Sequence, residues 1–246
     1  MRRKLVIGNW KMNGNRAANA ALLSALKAAG PWAAEVVVCP PYVYIADAAA
    51  ALAGSGITWG GQECVEFENG AYTGDVSAEM LADLGCRYVV VGHSERRQLH
   101  ADNDQLIADK AKAALAHKLI PVVCVGETLA EREAGQTELV VKRQMSAVIH
   151  TLAHCISEIV VAYEPVWAVG TGKTASPEQA QAVHALLRAQ LKAATEKAGE
   201  MKLLYGGSVK ADNAITLFSQ PDIDGGLIGG ASLKAADFAA ICRAAS

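Results

Sequence analysis

The stretch PVVCVGETLAEREAGQTELVVKRQMSAVIHTLAHCISEIVVAYEP covers residues 121–165 and holds one complete strand–helix–strand unit. An apolar run at 121–126 is followed by a helix-like segment at 137–153 and by a second apolar run at 159–163. Neither run alternates with polar residues, which is typical of parallel strands buried on both faces. The stretch therefore predicts two neighbouring parallel strands joined by a helix.

The same unit recurs outward in both directions along the chain. Apolar runs occur at 4–8, 35–39, 57–61, 88–92, 121–126, 159–163, 202–205 and 226–228. Helix-like segments lie at 16–29, 44–53, 103–118, 137–153, 177–197 and 232–245. Eight units in 246 residues average about 31 residues each, which is the size of a β-α-β repeat.

This repetition predicts an α/β fold, a (β/α)₈ barrel with eight parallel strands inside an outer ring of helices. No linker, low-complexity tract or change of composition divides the chain, so we expect one domain over residues 1–246. The alternative is an open doubly wound sheet, but no GxGxxG motif follows the first apolar run.

Composition excludes several classes of partner. The net charge of −2 gives no electrostatic basis for binding nucleic acid or an anionic membrane. The apolar part of the N-terminal MRRKLVIGNWK is too short for a signal peptide or a membrane span. The six cysteines are widely spread, and none forms a CxxC pair, so we expect reduced thiols in a cytoplasmic protein.

Polar residues at the ends of the apolar runs are candidates for the active site, because barrel enzymes place their sites at the carboxyl ends of the strands. Asn9 and Lys11 follow the first run, where the lysine is either solvated or a site cation. His93 follows the fourth run and precedes a predicted helix start at Ser94 and Glu95. The positive end of that helix disfavours imidazolium, so His93 is predicted to be a neutral hydrogen-bond donor.

Glu164 directly follows the sixth run, IVVAY. Either it pairs with a lysine or arginine, or it is a catalytic base. The stretch after it, PVWAVGTGK at 165–173, begins with a proline and ends in a glycine-rich stretch. A stiff segment with one flexible end is typical of a lid that excludes water from a site. The lid residues would be Pro165, Val166, Trp167, Gly170, Thr171, Gly172 and Lys173.

Glycine pairs follow the last two runs, at 206–207 and at 229–230. Glycine lets backbone N–H groups approach an anion closely, and a helix start adds a favourable dipole. We expect the second pair to open the last helix. Because barrels commonly bind phosphate after strands seven and eight, the two pairs together predict a phosphate site.

With these residues assembled, the chain resembles the triosephosphate isomerase family over essentially its whole length. The segments that carry the resemblance occur in family order and spacing: GNWKMNG (8–14), NGAYTGDVS (69–77), GHSERR (92–97), CVGETLAERE (124–133), YEPVWAVGTGK (163–173), YGGSV (205–209) and GGASL (229–233).

The resemblance implies interconversion of dihydroxyacetone phosphate and D-glyceraldehyde 3-phosphate, a step of glycolysis and gluconeogenesis. It implies that Glu164 is the base, that His93 polarises the carbonyl and that Lys11 supplies positive charge, assisted by Asn9 and Glu95. It assigns phosphate binding to Gly170, Ser208, Gly229 and Gly230. It requires no metal and no cofactor.

The family is typically a homodimer, so the resemblance also implies that Thr73 reaches the partner's site. Three acidic residues depart from the family pattern: Glu63, Asp75 and Asp102. A buried Glu63 would be protonated or need a partner, and the shorter Asp75 would alter a contact with Arg96. These departures bear on dimer strength and pH dependence rather than on the reaction.

Two other functions fit a barrel with these strand ends. A Schiff-base aldolase would need a desolvated lysine within a strand, whereas Lys11 follows its strand and the sixth run ends in glutamate. A non-catalytic phosphate-binding protein would be expected to lack at least one of Glu164, His93 and Lys11, and all three are present.

Overall fold

The eight predicted strands close into a barrel. A computed structural model describes residues 2–168 and 174–245. Its strands are β1 (Leu5–Asn9), β2 (Glu35–Cys39), β3 (Thr58–Gly61), β4 (Tyr88–Val91), β5 (Ile120–Val125), β6 (Val160–Tyr163), β7 (Leu203–Tyr205) and β8 (Gly225–Ile228). They pair in parallel in sequence order, and β8 returns to β1. The barrel prediction is confirmed and the open-sheet alternative is wrong.

Helices surround the barrel. In the described residues they are α1 (Arg16–Ala29), α2 (Ile45–Leu52), α3 (Ala78–Asp83), α4 (Ser94–Leu99), α5 (Asp104–Ala116), α6 (Leu129–Glu133), α7 (Thr137–Leu152), α8 (Pro177–Ala194), α9 (Ala214–Phe218) and α10 (Ala235–Ala244). At α8, Ser176 caps the first turn and Pro177 occupies the first helical position, as predicted. No helix of the described ranges is long and apolar enough to cross a membrane.

Side chains of the strands alternate between two apolar layers. One set fills the barrel: Leu5, Ile7, Val37, Cys39, Tyr88, Val90, Val122, Cys124, Val160, Ala162, Leu204 and Leu227. The other set, which includes Tyr163 and Tyr205, packs between the strands and the helices. Because the side-chain period of a strand is two, the next inward positions are Asn9, the last residue of β1, and Glu164, the first residue after β6. The register thus aims both residues at the mouth of the barrel.

The end of β4 needs a glycine to direct its histidine. Val90 points into the barrel, so continued alternation would turn Gly92 inward and His93 outward. Instead Gly92 adopts a φ of +72°, and a Cβ there would lie 2.8 Å from a side-chain carbon of Ile107. This left-handed residue breaks the alternation, and His93 lines the cavity.

The predicted start of the last helix is wrong. Residues Gly230–Leu233 form a short 3-10 helix, Lys234 is extended, and α10 begins only at Ala235. The hydroxyl of Ser232 donates to the carbonyl of Gly229 at 2.7 Å, which stabilises the tight turn. The second glycine pair therefore opens a 3-10 turn and not the last helix.

Other boundaries shift by smaller amounts. The predicted helix at 177–197 ends at Ala194, because Thr195 is extended and caps a separate 3-10 helix at Glu196–Gly199. The helix predicted at 44–53 is shortened by the 3-10 turn Tyr42–Tyr44. The one predicted at 103–118 starts after Asn103, which is its N-cap. All eight strands agree with prediction to within one residue at each end.

Candidate active site

A cavity of about 360 Å³ opens at the carboxyl ends of the strands. The residues that line it come from the ends of β1, β4, β6, β7 and β8, from the segments that follow these strands, and from the start of α10: Asn9, Lys11, His93, Glu164, Gly206, Gly207, Ser208, Val209, Lys210, Leu227, Gly229, Gly230, Ala231, Lys234 and Asp237. The structure therefore brings together the carboxylate, the imidazole, the lysine and both glycine pairs. Glu95 borders this group through its contact with Lys11.

Glu164 faces His93 across the mouth of the barrel. One carboxylate oxygen lies 2.8 Å from Nε2 of His93, and the other accepts the backbone N–H of Ser94 at 2.9 Å. Burial opposes charge on Glu164, but the imidazole and this N–H hold the pKa of the carboxyl below its ordinary value. Among the described residues, the direct partners of Glu164 are therefore an imidazole and a backbone N–H rather than the lysine or arginine that the ion-pair alternative required.

His93 carries its neutral proton on a defined nitrogen. The N–H of Glu95 donates to Nδ1 at 3.2 Å, so Nδ1 is an acceptor and the proton of neutral imidazole lies on Nε2. Burial opposes charge on the ring, but the carboxylate of Glu164 raises the pKa of His93. A group that separated the two side chains would remove this cause and leave burial to favour the neutral ring.

Lys11 is held in a left-handed backbone conformation, with a φ of +52°, which is uncommon for a residue with a side chain. Asn9 accepts its N–H through Oδ1 at 3.0 Å, and the amide of Gln62 donates to its carbonyl at 2.8 Å. The ammonium pairs with Glu95 at 2.6 Å. Such strain held by neighbouring contacts is typical of functional sites.

The first glycine pair provides room where a side chain would collide, and the second pair lies against the side chain of Lys11. A Cβ on Gly206 would lie 2.8 Å from Cγ of Glu164, and one on Gly229 would contact Cε of Lys11 at 3.5 Å. Ser208, beside the first pair, donates its hydroxyl to the carbonyl of Ala168 at 2.8 Å. The candidate phosphate region therefore adjoins both the base and the lysine.

A buried carboxylate anchors the segment that follows Glu164. Glu127 is fully buried and accepts the hydroxyl of Tyr163 at 3.1 Å, the indole N–H of Trp167 at 3.0 Å and Arg132 at 3.1 Å. Its carbonyl accepts the N–H of Val166 at 3.1 Å. The first part of the predicted lid, 165–168, is thus fixed to the end of β5.

Some predicted site residues lie elsewhere or outside the described ranges. Gly170, Thr171, Gly172 and Lys173 fall among residues 169–173, which are not described. Thr73 lies on an exposed loop, beside the stacked rings of Phe67 and Tyr72. The structure therefore does not join Thr73 to the cavity of its own chain.

Sequence reasoning passed over two contributors at strand ends. Glu127 follows β5 and Gln62 follows β3, so the strand-end rule that found Glu164 would also have found both. Their roles follow only from contacts with residues remote in sequence: Glu127 with Trp167, and Gln62 with Lys11.

The six cysteines are free, and Cys155 alone among them is partly exposed. Burial raises the pKa of the thiol of Cys124 beyond its ordinary range, so this neighbour of the base stays protonated. Among the described residues, no cluster of three or more histidine, cysteine or acidic side chains is arranged to hold a metal ion.

Glu63 is buried within a four-residue charge cluster. Its carboxylate lies 3.0 Å from the ammonium of Lys110 and 2.8 Å from Nε of Arg96, and Asp102 contacts the same two cations at 2.7 and 3.3 Å. Burial raises the pKa of Glu63 to about 7, and the two cations only partly oppose this. Glu63 therefore has charged partners and also a raised pKa, so both of the alternatives predicted from the sequence apply to it.

We expect Glu63→Gln to gain stability relative to the unchanged protein as pH rises. Between the ordinary pKa of 4.5 and about 7, the unfolded chain loses the proton of Glu63 before the folded chain does. The raised pKa thus contributes stability below pH 4.5 that is lost as pH rises through 7. The difference in unfolding free energy should shift toward the variant by at most about 3 kcal/mol, at about 1.4 kcal/mol per unit.

Urea unfolding of both proteins from pH 5 to pH 8 measures this difference, in which the titrating groups that do not interact with Glu63 cancel. A difference that stays constant across that range would contradict the assignment of a raised pKa to Glu63.

The chain is similar to known proteins over essentially its whole length. The family model described as triosephosphate isomerase matches residues 4–245. A triosephosphate isomerase of Delftia acidovorans is 62% identical over 247 residues, and that of Paracidovorax citrulli is 61% identical over 249 residues. The one from Albidiferax ferrireducens is 58% identical over 246 residues. Each alignment covers the whole chain and at least 99% of the relative.

Proposed function

The chain belongs to the triosephosphate isomerase family, and from this premise we propose that Glu164 is the base that moves a proton between adjacent substrate carbons. The chain catalyses the interconversion of dihydroxyacetone phosphate and D-glyceraldehyde 3-phosphate, a step of glycolysis and gluconeogenesis. The observation that carries the assignment is the buried contact of 2.8 Å between Glu164 and Nε2 of His93, within a cavity that Lys11 also lines.

The substrate is proposed to enter between Glu164 and His93 and to break their contact. Glu164 then loses the partner that lowers its pKa, while burial continues to raise it, so the carboxylate becomes a stronger base. The imidazole loses the contact with Glu164 that raises its pKa, and burial then favours the neutral ring. The family is a standard example of a carboxylate base with a neutral histidine donor.

The proton transfers follow from these positions. Glu164 takes a proton from the carbon beside the carbonyl, and the electron pair of that C–H bond forms the enediolate. Nε2–H of His93 and the ammonium of Lys11 stabilise the developing oxyanion, with Asn9 and Glu95 positioning the lysine. His93 moves a proton between the two oxygens, and protonated Glu164 returns its proton to the neighbouring carbon. These steps use no metal and no organic cofactor.

The phosphate is proposed to bind where the glycine pairs meet Lys11. The N–H groups at Gly229 and Gly230 begin a 3-10 helix, where the first N–H groups lack partners within the helix. Ser208 borders the same cavity, and its hydroxyl now donates to Ala168. Gly170 and the lid 165–173 keep their proposed roles, for which the anchoring of 165–168 by Glu127 is the support.

A coupled assay that follows each direction of the isomerisation tests the activity on the purified chain. We expect turnover with both triose phosphates and none with their unphosphorylated analogues at equal concentration. Absence of activity in a folded sample would contradict the proposal.

We propose that the active form is a homodimer. Exposed apolar side chains follow four adjoining strands: Met12 after β1, Val43 after β2, Tyr72 after β3 and Leu99 after β4. Met12 is 94% exposed and Val43 77%. Exposed apolar side chains that are grouped on one side of a barrel mouth are typical of a surface that another chain covers. A second copy that covered this side would bury them and would receive Thr73.

Sedimentation equilibrium should give twice the mass of one chain. Thr73→Arg should shift the protein toward monomer with loss of activity, because a large charge then enters the interface. The matched control is Thr216→Arg, at an exposed position of α9, which should remain dimeric and active. A fully active monomer would contradict the dimer proposal.

Three further proposals concern the domain organisation, the location and the partners of the chain. A single domain over 1–246 is supported by the family match to 4–245. A cytoplasmic location is supported by the free cysteines, and the absence of nucleic-acid and membrane partners by the net charge of −2.

A further inference from the structure

A histidine outside the cavity packs against the residue that precedes the base. His184, in the middle of α8, is fully buried, and its Nδ1 lies 2.8 Å from the carbonyl of Ala180. Its ring meets that of Tyr163 nearly at right angles, with centroids 5.7 Å apart, and lies 6.4 Å from that of Tyr205. The two tyrosine rings are also 6.4 Å apart. We call these three side chains the ring cluster.

Each tyrosine of the ring cluster holds one side of the site. Tyr163 precedes Glu164 and donates its hydroxyl to Glu127, the carboxylate that also accepts Trp167. Tyr205 precedes Gly206 and accepts the N–H of Ala175 through its hydroxyl at 3.3 Å. The N–H of Gly206 in turn donates to the carbonyl of Tyr163 at 2.7 Å. The cluster thus touches both borders of the segment from Glu164 to Ala175.

We propose that His184 is a positioning residue for the isomerisation. Through its contacts with Tyr163 and Tyr205, it sets the position of Glu164 and of both borders of the lid. This inference rests on the proposed function, in which Glu164 is the base and 165–173 the lid. Edge-to-face packing at the centroid distance of the Tyr163 contact is a favourable arrangement for aromatic rings, so the ring fixes where Tyr163 lies. Its tilted contact with Tyr205, at an interplanar angle of 43°, limits the position of that second ring.

The uncharged state of His184 suits this role. Burial lowers its pKa, and the neighbouring carbonyls of Ala180 and Leu204 only partly oppose that effect. Charged groups that face the ring from α8 and the adjoining chain are Asp222 and Asp224, and both pair with Arg188. A neutral ring adds no charge beside Tyr163, so the carboxylate of Glu127 keeps Tyr163, Trp167 and Arg132 as its partners.

Loss of the ring should have two consequences for the reaction. A displacement of the base by about 1 Å costs up to about 100-fold in rate, so kcat should fall. A lid with a displaced border should also fail to retain the enediolate, which can expel phosphate. In that step the C–O bond to phosphate breaks with its electron pair, the enediolate oxygen forms a carbonyl, and the resulting enol tautomerises to methylglyoxal.

The test compares two substitutions that separate the ring from its hydrogen bond. His184→Asn keeps a donor for the carbonyl of Ala180 but removes the ring, whereas His184→Phe keeps the ring but removes the donor. The matched control is Leu191→Ala, fully buried two turns further along α8. Measured quantities are kcat, KM, inorganic phosphate released per isomerisation, and the melting temperature.

We expect His184→Asn to lower kcat by about tenfold or more, with KM nearly unchanged and phosphate release per turnover raised several-fold. His184→Phe should keep kcat and phosphate release within about threefold of the unchanged protein. Leu191→Ala should lower the melting temperature without changing either quantity. If the asparagine variant does not fold, His184→Leu, which preserves volume without a ring, should give the same kinetic result.

Two outcomes would overturn the inference. In the first, the ringless variants melt earlier but keep kcat and phosphate release, which would make His184 a purely structural residue. In the second, the phenylalanine variant is as defective as the asparagine variant, which would assign the effect to the hydrogen bond with Ala180. Neither outcome touches the role of Glu164, which its own substitution tests.

Discussion

Glu164→Gln should lower kcat by about 10²- to 10⁴-fold while the fold survives. The amide has nearly the size of the carboxylate, and its oxygen can still accept the N–H of Ser94. It cannot take a proton from carbon at neutral pH, so only the base function is removed. The expected loss is therefore one of turnover, with a smaller change in KM.

Steady-state kinetics in both directions measure this loss, and the melting temperature shows that the variant is folded. Glu138→Gln is the matched control, because that carboxylate is exposed on α7 and pairs with Lys142 one turn away. It should leave kcat unchanged. Activity of Glu164→Gln within about tenfold of the unchanged protein would contradict the assignment of the base.

Arg188→Ala should lower the free energy of unfolding by about 3–5 kcal/mol, a large part of the stability of an ordinary domain. The side chain is 3% exposed and pairs with Asp224 at 2.8 Å and Asp222 at 3.2 Å. It also donates to the carbonyls of Ala198 and Met201 at 2.6 Å. Its removal would leave the buried carboxylate of Asp224 with Arg2 as its remaining charged partner among the described residues.

This arginine acts at the end of the barrel opposite the cavity. Asp224 directly precedes β8, and Met201 lies just before β7, so the cluster ties together the amino ends of two strands. In barrels this end contributes stability rather than chemistry. The variant should therefore keep kcat within about twofold at temperatures where it is folded.

Urea unfolding at one fixed protein concentration measures the loss. Arg16→Ala is the control, because Arg16 pairs with Asp47 at the surface, where its side chain is 83% exposed. Exposed pairs contribute little, so this variant should change stability by less than about 1 kcal/mol. Equal effects of the two substitutions would contradict the importance of the buried cluster.

The barrel was predictable because its signal is carried by local composition. A strand buried on both faces must be apolar throughout, and eight such runs at regular spacing leave little choice of topology. The run 35–39 and the helix 16–29 match the structure residue for residue. Helices of five or six residues, such as α3 and α9, are too short for a period of 3.6 to show.

The residues at strand ends were predictable, and their supports were not. Glu164, His93 and Lys11 each interrupt an apolar run at the edge where the site must lie. Glu127 gains its role from Trp167, 40 positions away. His184 lies on the apolar face of a helix and is indistinguishable there from a core residue until its ring is placed against Tyr163.

The most direct test of the central claim is isomerisation in deuterium oxide. A carboxylate base that exchanges its proton with solvent should leave deuterium on the product carbon that carries the new hydroxyl group, next to the new carbonyl, and proton NMR detects this. Glu164→Gln should show neither exchange nor isomerisation above its residual rate. A product formed at full rate without deuterium would mean that hydrogen moves directly between the carbons, or through a base shielded from solvent throughout, and full exchange in the variant would exclude Glu164 as the base.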